Sequence, residues 1–187
     1  SQCEHTHLTR VPIEVEKATA QHSSYERALA DAGFEVLRLP DLPDHADGVF
    51  VEDTALLLGE HAVITRPGAA SRASETSSTA AGLAEHFEVH RIEQGYVDGG
   101  DVLRIGRTLY VGLSSRTDSK GIAALRELVR PLSFEVVQAR LDGCLHLKTG
   151  ATLAGPLPSG NAVLLYHPAS VDPSQSAGVE PVAIDAD

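Results

Sequence analysis

Methionine and tryptophan are absent from this 187-residue chain, cysteine occurs twice, and aromatic residues make up only 4%. Each scarcity excludes something. Cys3 and Cys144 are too few for a disulfide-stapled secreted scaffold, so both read as free thiols of a soluble, cytoplasmic protein. Lys and Arg number 15 against 26 Asp and Glu, and the formal net charge of -11 argues against nucleic acid or an anionic membrane as partner. No apolar run approaches the roughly 20 residues of a membrane span, and no basic segment leads into a short apolar one at the start. Without a methionine, Ser1 does not read as a translation start, and the chain is expected to be a piece of a longer protein, cut at both ends.

What is present suits one α/β domain over residues 1–187, with 42% hydrophobic and 22% charged residues and an acidic balance that favours a small cationic ligand. The triplet Phe-Glu-Val recurs at Phe34–Val36, Phe87–Val89 and Phe134–Val136, roughly 50 residues apart, a period that signals modular repetition. Helix-like stretches precede the copies at Glu14–Asp31, Ser74–Glu85 and Ser119–Val129, and an Asp-Gly pair follows each, at Asp47-Gly48, Asp98-Gly99 and Asp142-Gly143. Beyond each pair lie two short apolar runs, the second being His61–Arg66, Thr108–Leu113 and Ala162–His167. The unit therefore reads helix, strand, Asp-Gly turn, strand, turn, strand. Such a unit cannot bury its own sheet face, so copies must pack on one another in a ring or stack. The alternative is chance recurrence in an ordinary α/β sandwich. Val179–Asp187 reads as one further strand.

If the Asp-Gly turns face the middle of a ring, Asp47, Phe50, Glu52, Asp53, Asp98, Asp101, Cys144 and His146 converge, with Arg66, Arg72 and Arg116 at the edge. Carboxylates can grip a guanidinium through paired charge-assisted hydrogen bonds while arginines take an α-carboxylate, and a histidine can move protons between them. Asp-Gly turns that merely punctuate strands are the competing explanation.

The segments FVEDT, ITRPGAASR, DGGD, GLSSRT and LHLKTGATLAGP, in this order, resemble the dimethylarginine dimethylaminohydrolase family of the guanidino-group-modifying superfamily, from about Thr6 onward. The resemblance implies a five-module α/β propeller, the pentein fold, of which about three modules and partial ends would be present. It also implies hydrolysis of asymmetric dimethylarginine and monomethylarginine to citrulline and a methylamine by a cysteine nucleophile, with no cofactor and no metal. By position His146 resembles the catalytic histidine and Asp98 the carboxylate that orients it. Asp47, Phe50, Glu52 and Asp53 look like substrate contacts, and Arg72 and Arg116 like the arginines that meet the substrate carboxylate.

The nucleophile implied by the family lies in a final module, so these residues alone are expected to be inactive. Cys144 shares a strand face with His146 at two-residue spacing, but its position is not that of the family nucleophile, and packing is the usual role of a small buried cysteine. Cys3, His5 and His7 lack the frame of a metal site and read as a flexible terminus, which the family resemblance implies to be part of a lid over the site. His22, His45, His61, His86, His90 and His167 show no partner pattern, and Gly99-Gly100 lacks the frame of a phosphate loop. An arginine or agmatine deiminase, an amidinotransferase relative, a methylarginine-binding remnant without turnover and a purely structural interaction module remain as alternatives, and oligomeric state is not written in the sequence.

Overall fold

Two glycines start the architecture. Gly59 (φ 69°) and Gly106 (φ 60°) each take a backbone conformation that other residues resist, and each leads a two-residue turn that folds the flanking apolar runs into a hairpin. The computed structural model describes residues 12–156, 162–176 and 178–184. Its elements in chain order are α1 (Val15–Asp31), β1 (Ala55–Leu58), β2 (His61–Ile64), α2 (Glu75–Leu83), β3 (Glu88–Arg91), β4 (Val102–Ile105), β5 (Thr108–Leu113), α3 (Ser119–Val129), β6 (Glu135–Arg140), a single turn α4 (Leu147–Gly150), β7 (Ala151–Pro156), β8 (Ala162–Tyr166) and β9 (Val179–Ala183).

The strands form three sheets of identical plan, β1-β2-β3, β4-β5-β6 and β7-β8-β9. In each an antiparallel hairpin is joined by a third strand running parallel to its second member, in the registers His61↔Glu88, Thr108↔Glu135 and Ala162↔Val179. A parallel neighbour needs a crossover, and α2 and α3 supply it in the first two sheets. The same bond even opens two of the parallel strands, Glu88 N–H donating to the Glu60 carbonyl and Glu135 N–H to that of Arg107.

The repeat expected from the sequence is thus present, with two corrections. The Asp-Gly pairs precede the hairpins, as the order of the unit expects, but they join neighbouring modules instead of strands of one sheet: Asp98-Gly99 runs into a 3₁₀ turn (Gly99–Asp101) ahead of β4, and Val51–Thr54 forms another ahead of β1. The Phe-Glu-Val strand completes the sheet of the hairpin before it, so the physical module is hairpin, crossover, parallel strand. The second correction follows from the first. Phe34–Val36 forms no strand, because no hairpin among the described residues stands beside it, and Phe34 is 65% exposed. For the same reason α1 buries none of its residues.

The middle sheet is buried on both faces, by simple alternation. Val102, Leu109 and Val111 point into a core shared with Leu56, Leu58 and Val63 of the first sheet and with Ile122, Leu125 and Val129 of α3. Leu103 and Tyr110 point the other way, onto Leu147, Ala151 and Leu164 of the third module. Both faces of β4–β5 are thereby fixed against a neighbouring module, and the turns at the entrances of the first strands are set side by side.

Candidate active site

Those entrance turns are stitched to one another by equivalent bonds. Gly100 N–H donates to Asp53 Oδ1 at 2.9 Å, linking module two to module one, and Leu147 N–H donates to Asp101 Oδ1 at 3.0 Å, linking module three to module two. Gly99 belongs to this contact as well, because any side chain there would run into the Glu52 carbonyl. Acidic residues at the ends of apolar strands therefore serve first as acceptors for the neighbouring module's backbone.

His146 stands just ahead of α4, extended at φ -136° and ψ 159°, and reaches back to module two. Its Nε2 lies 3.3 Å from Asp98 Oδ2. Asp98 is fully buried and its orientation is fixed, since Oδ1 accepts from Gly68 N–H at 2.8 Å and its own N–H donates to Thr117 Oγ1. Burial lowers the His146 pKa, but the hydrogen bond to Asp98 and the carboxylates of Asp53, Asp101 and Asp98 together outweigh it, holding the imidazole above the ordinary value of 6.5. The site favours an imidazolium. Burial pushes the carboxyl of Asp101 up, against the hydrogen bonds from Ser114, Thr117 and Leu147 and the charge of His146.

Asp53, Asp98 and His146 bring ligand atoms within 4.8 Å of one another. Gly100 makes this approach possible: a Cβ there would lie 2.7 Å from His146 Nδ1 and 2.8 Å from Asp53 Oδ1. Gly100→Ala is expected to displace the imidazole and to cost about 1–3 kcal/mol of stability as an overpacked contact. Thermal unfolding and the His146 ring resonances check both parts; an unshifted ring would sink the steric assignment.

Asp53 is nearly buried, and its Oδ2 takes a hydrogen bond from Arg72 Nη1 at 2.5 Å. Arg72 is itself buried and fully engaged, with Nε and Nη2 on Glu75 and Nη2 also on the carbonyls of Asp47 and Phe50. Glu75 is a site residue that the sequence reading missed, although its spacing three positions after Arg72 at a helix start was the available signal. Asp47 is buried, while Phe50, expected to line the pocket, is 57% exposed. Arg116 is half-buried after β5 with its N–H on Ser114 Oγ, whereas Arg66 reaches the Gly95 carbonyl and stacks on Tyr96, apart from the cluster.

Glu52 differs from the other carboxylates. Its side chain is 65% exposed and pairs at 2.7 Å with Lys148 Nζ, across 96 residues of chain. An exposed ion pair of this kind is worth about 1 kcal/mol or less, so another cation can replace the lysine. Cys144 is the other cysteine question. Burial raises its thiol pKa, the Asp101 charge adds to this, and Sγ donates to the His146 carbonyl at 3.4 Å. The thiol thus bonds to the backbone of His146, not to its ring. Cys3, His5 and His7 lie outside the described residues.

Repeated three-stranded modules whose entrance turns meet around a histidine and buried carboxylates define an α/β propeller of the pentein class. No protein-family model matches the chain. It is 39% identical over 160 residues to the N(G),N(G)-dimethylarginine dimethylaminohydrolase of Streptomyces coelicolor, covering 84% of this chain and 61% of that protein. The crystal structure of a dimethylarginine dimethylaminohydrolase adduct with 4-chloro-2-hydroxymethylpyridine superposes with a TM-score of 0.78 at 32% identity, covering 91% of this chain and 68% of that one. The Pseudomonas aeruginosa enzyme, as a cysteine-to-serine mutant complexed with citrulline, gives a TM-score of 0.79 at 32% identity over 90% of this chain and 66% of that one. The chain belongs to the dimethylarginine dimethylaminohydrolase family, and it spans less than two thirds of the Streptomyces relative's length.

Proposed function

We propose that the protein containing this chain hydrolyses Nω-methylated arginines to citrulline and methylamine or dimethylamine. The observation that carries this reading is the His146–Asp98 pair held among the entrance turns of adjoining modules. The name of the Streptomyces relative and the citrulline bound to the Pseudomonas one support the substrate class.

In this mechanism Glu52 exchanges Lys148 for the substrate cation, and Asp53 and Asp47 add negative potential behind it. Arg116 meets the substrate carboxylate. For Arg72 to join it, the guanidinium must leave Asp53 and Glu75; in its observed place it fixes Asp53. A cysteine thiolate attacks the guanidinium carbon, and as the carbon–nitrogen bond breaks the imidazolium of His146 gives its proton to the departing amine. Water then attacks the resulting thiouronium carbon, His146 takes the proton, and citrulline and thiolate are released. With Nε2 on Asp98, Nδ1 is the nitrogen that moves the proton, and the absent Cβ of Gly100 leaves room beside it. In this reading the thiolate is not Cys144, whose burial raises its thiol pKa and whose Sγ donates to the His146 carbonyl.

The test is product release by the intact protein from asymmetric dimethylarginine, monomethylarginine, arginine and agmatine. Turnover of the methylated substrates alone is expected. Preferential turnover of arginine or agmatine would make the protein a deiminase instead, and saturable binding without product would leave only a binding role. Residues 1–187 alone are expected to give no citrulline; turnover by them that Cys144→Ser abolishes would overturn the nucleophile assignment.

A further inference from the structure

On the far end of the first sheet, unconnected with the chemistry above, β2 and β3 bring together three metal-binding side chains. His61 opens β2 directly beside Glu88 of β3, and His90 lies two residues further along β3, on the same face as Glu88. That face is the one whose row continues through Val63 and Ile92 into the core between the first and second sheets, so the three groups stand where the buried face meets solvent. His61 and His90 are only partly exposed, and Glu88 is 68% exposed.

The distances are specific. His61 Nδ1 and His90 Nε2 are 3.1 Å apart, His61 Nδ1 and Glu88 Oε2 3.4 Å, and His90 Nε2 and Glu88 Oε1 3.6 Å. Ligand atoms about 2.0–2.1 Å from a tetrahedral zinc ion must lie about 3.3 Å from one another, the edge of the tetrahedron. The two imidazoles already stand at the edge length of that figure, the carboxylate offers one oxygen to each, with one ligand atom from each residue within 4.8 Å of the others, and paired backbone strands rather than a loop set their spacing. Two nitrogens and an oxygen suit a borderline ion, zinc in particular, better than the hard ions that require all-oxygen cages.

We propose that His61, Glu88 and His90 form a zinc site with a water as fourth ligand, which ties β3 to β2 at the margin of the first sheet and takes no part in catalysis. The ion replaces the His61–His90 hydrogen bond and neutralises Glu88. Chelator-treated intact protein is expected to bind one zinc ion at this site, to show the absorption bands of tetrahedral cobalt when cobalt is substituted, and to unfold at higher temperature with zinc than without. His61→Asn and His90→Gln are each expected to weaken this binding at least about 10–100-fold and to remove the thermal increment. Glu88→Gln, at an exposed position, provides the same reading where a histidine variant fails to fold. Because Asp53, Asp98 and His146 also cluster within metal-binding range, His146→Ala is the control and should leave this site's signal in place. Absence of stoichiometric binding, binding indifferent to all three ligand variants, or binding lost only in His146→Ala would overturn the proposal and leave the two rings as a hydrogen-bonded pair.

Discussion

Replacing His146 by alanine in the intact protein is expected to lower turnover of dimethylarginine by about 10²–10⁴-fold, the usual worth of a positioned acid–base group. In the proposed mechanism the same group serves both half-reactions, as proton donor to the amine and as proton acceptor from water, so neither step would proceed at its normal rate without it. Asp98 acts through His146. Asp98→Asn keeps the shape and the Gly68 contact while removing the charge, and the His146 pKa should then fall, since burial is opposed by less. A ring titration followed by NMR reads this directly, and the pH profile of kcat should move with it. The sign for stability is fixed by the same shift. The folded imidazole binds its proton more tightly than the unfolded one, so its contribution is complete below about 6.5 and is lost as the pH rises through the higher folded value. Asp98→Asn should flatten that part of the stability curve. An Asp98→Asn protein whose imidazole titrates as before would show that the pair is not the source of the shift, and turnover surviving in His146→Ala would remove the mechanism.

The modular plan was legible because its signals are local. The helical stretch Ser119–Val129 and the run Thr108–Leu113 were read within the correct bounds, and the second and third Phe-Glu-Val triplets lead into strands, because each is set by periodicity and flanking residues. The turn between the two apolar runs of each unit was legible from its order, and the positive φ of Gly59 and Gly106 shows why glycine stands there in the first two modules. Asp98 and His146 were found through the family resemblance and are brought together by the packing of two modules 48 residues apart in sequence. Contacts of that range leave no periodic trace. Lys148 on Glu52 is one example, and His61 on His90 another, created only when β3 pairs with β2 in one particular register. The exposure of α1 is not legible for a related reason: a helical pattern locates the helix, but burial depends on a neighbour, not on the pattern.

Arg72→Ala is expected to destabilise the fold by about 3–5 kcal/mol, because it leaves two buried carboxylates without their counter-ion. The side chains of Arg72, Asp53 and Glu75 are 5%, 10% and 2% exposed, so water cannot replace the lost donors. The guanidinium also carries the carbonyls of Asp47 and Phe50 and thereby fixes the loop that delivers Glu52 and Asp53 to the site. Burial alone would lower its pKa, but the hydrogen bonds and charges of Glu75 and Asp53 raise it, so it stays charged through the working pH range. Lysine is a poor substitute, since one ammonium cannot reproduce donors aimed at four acceptors, and Arg72→Lys should recover only part of the stability. Chemical denaturation separates this account from the one the family resemblance first suggested. If Arg72 serves the substrate carboxylate, Arg72→Ala raises KM and leaves unfolding unchanged. If it is the counter-ion of the entrance turn, unfolding shifts first, and because Asp53 also accepts Gly100 N–H from the next module, kcat falls with it.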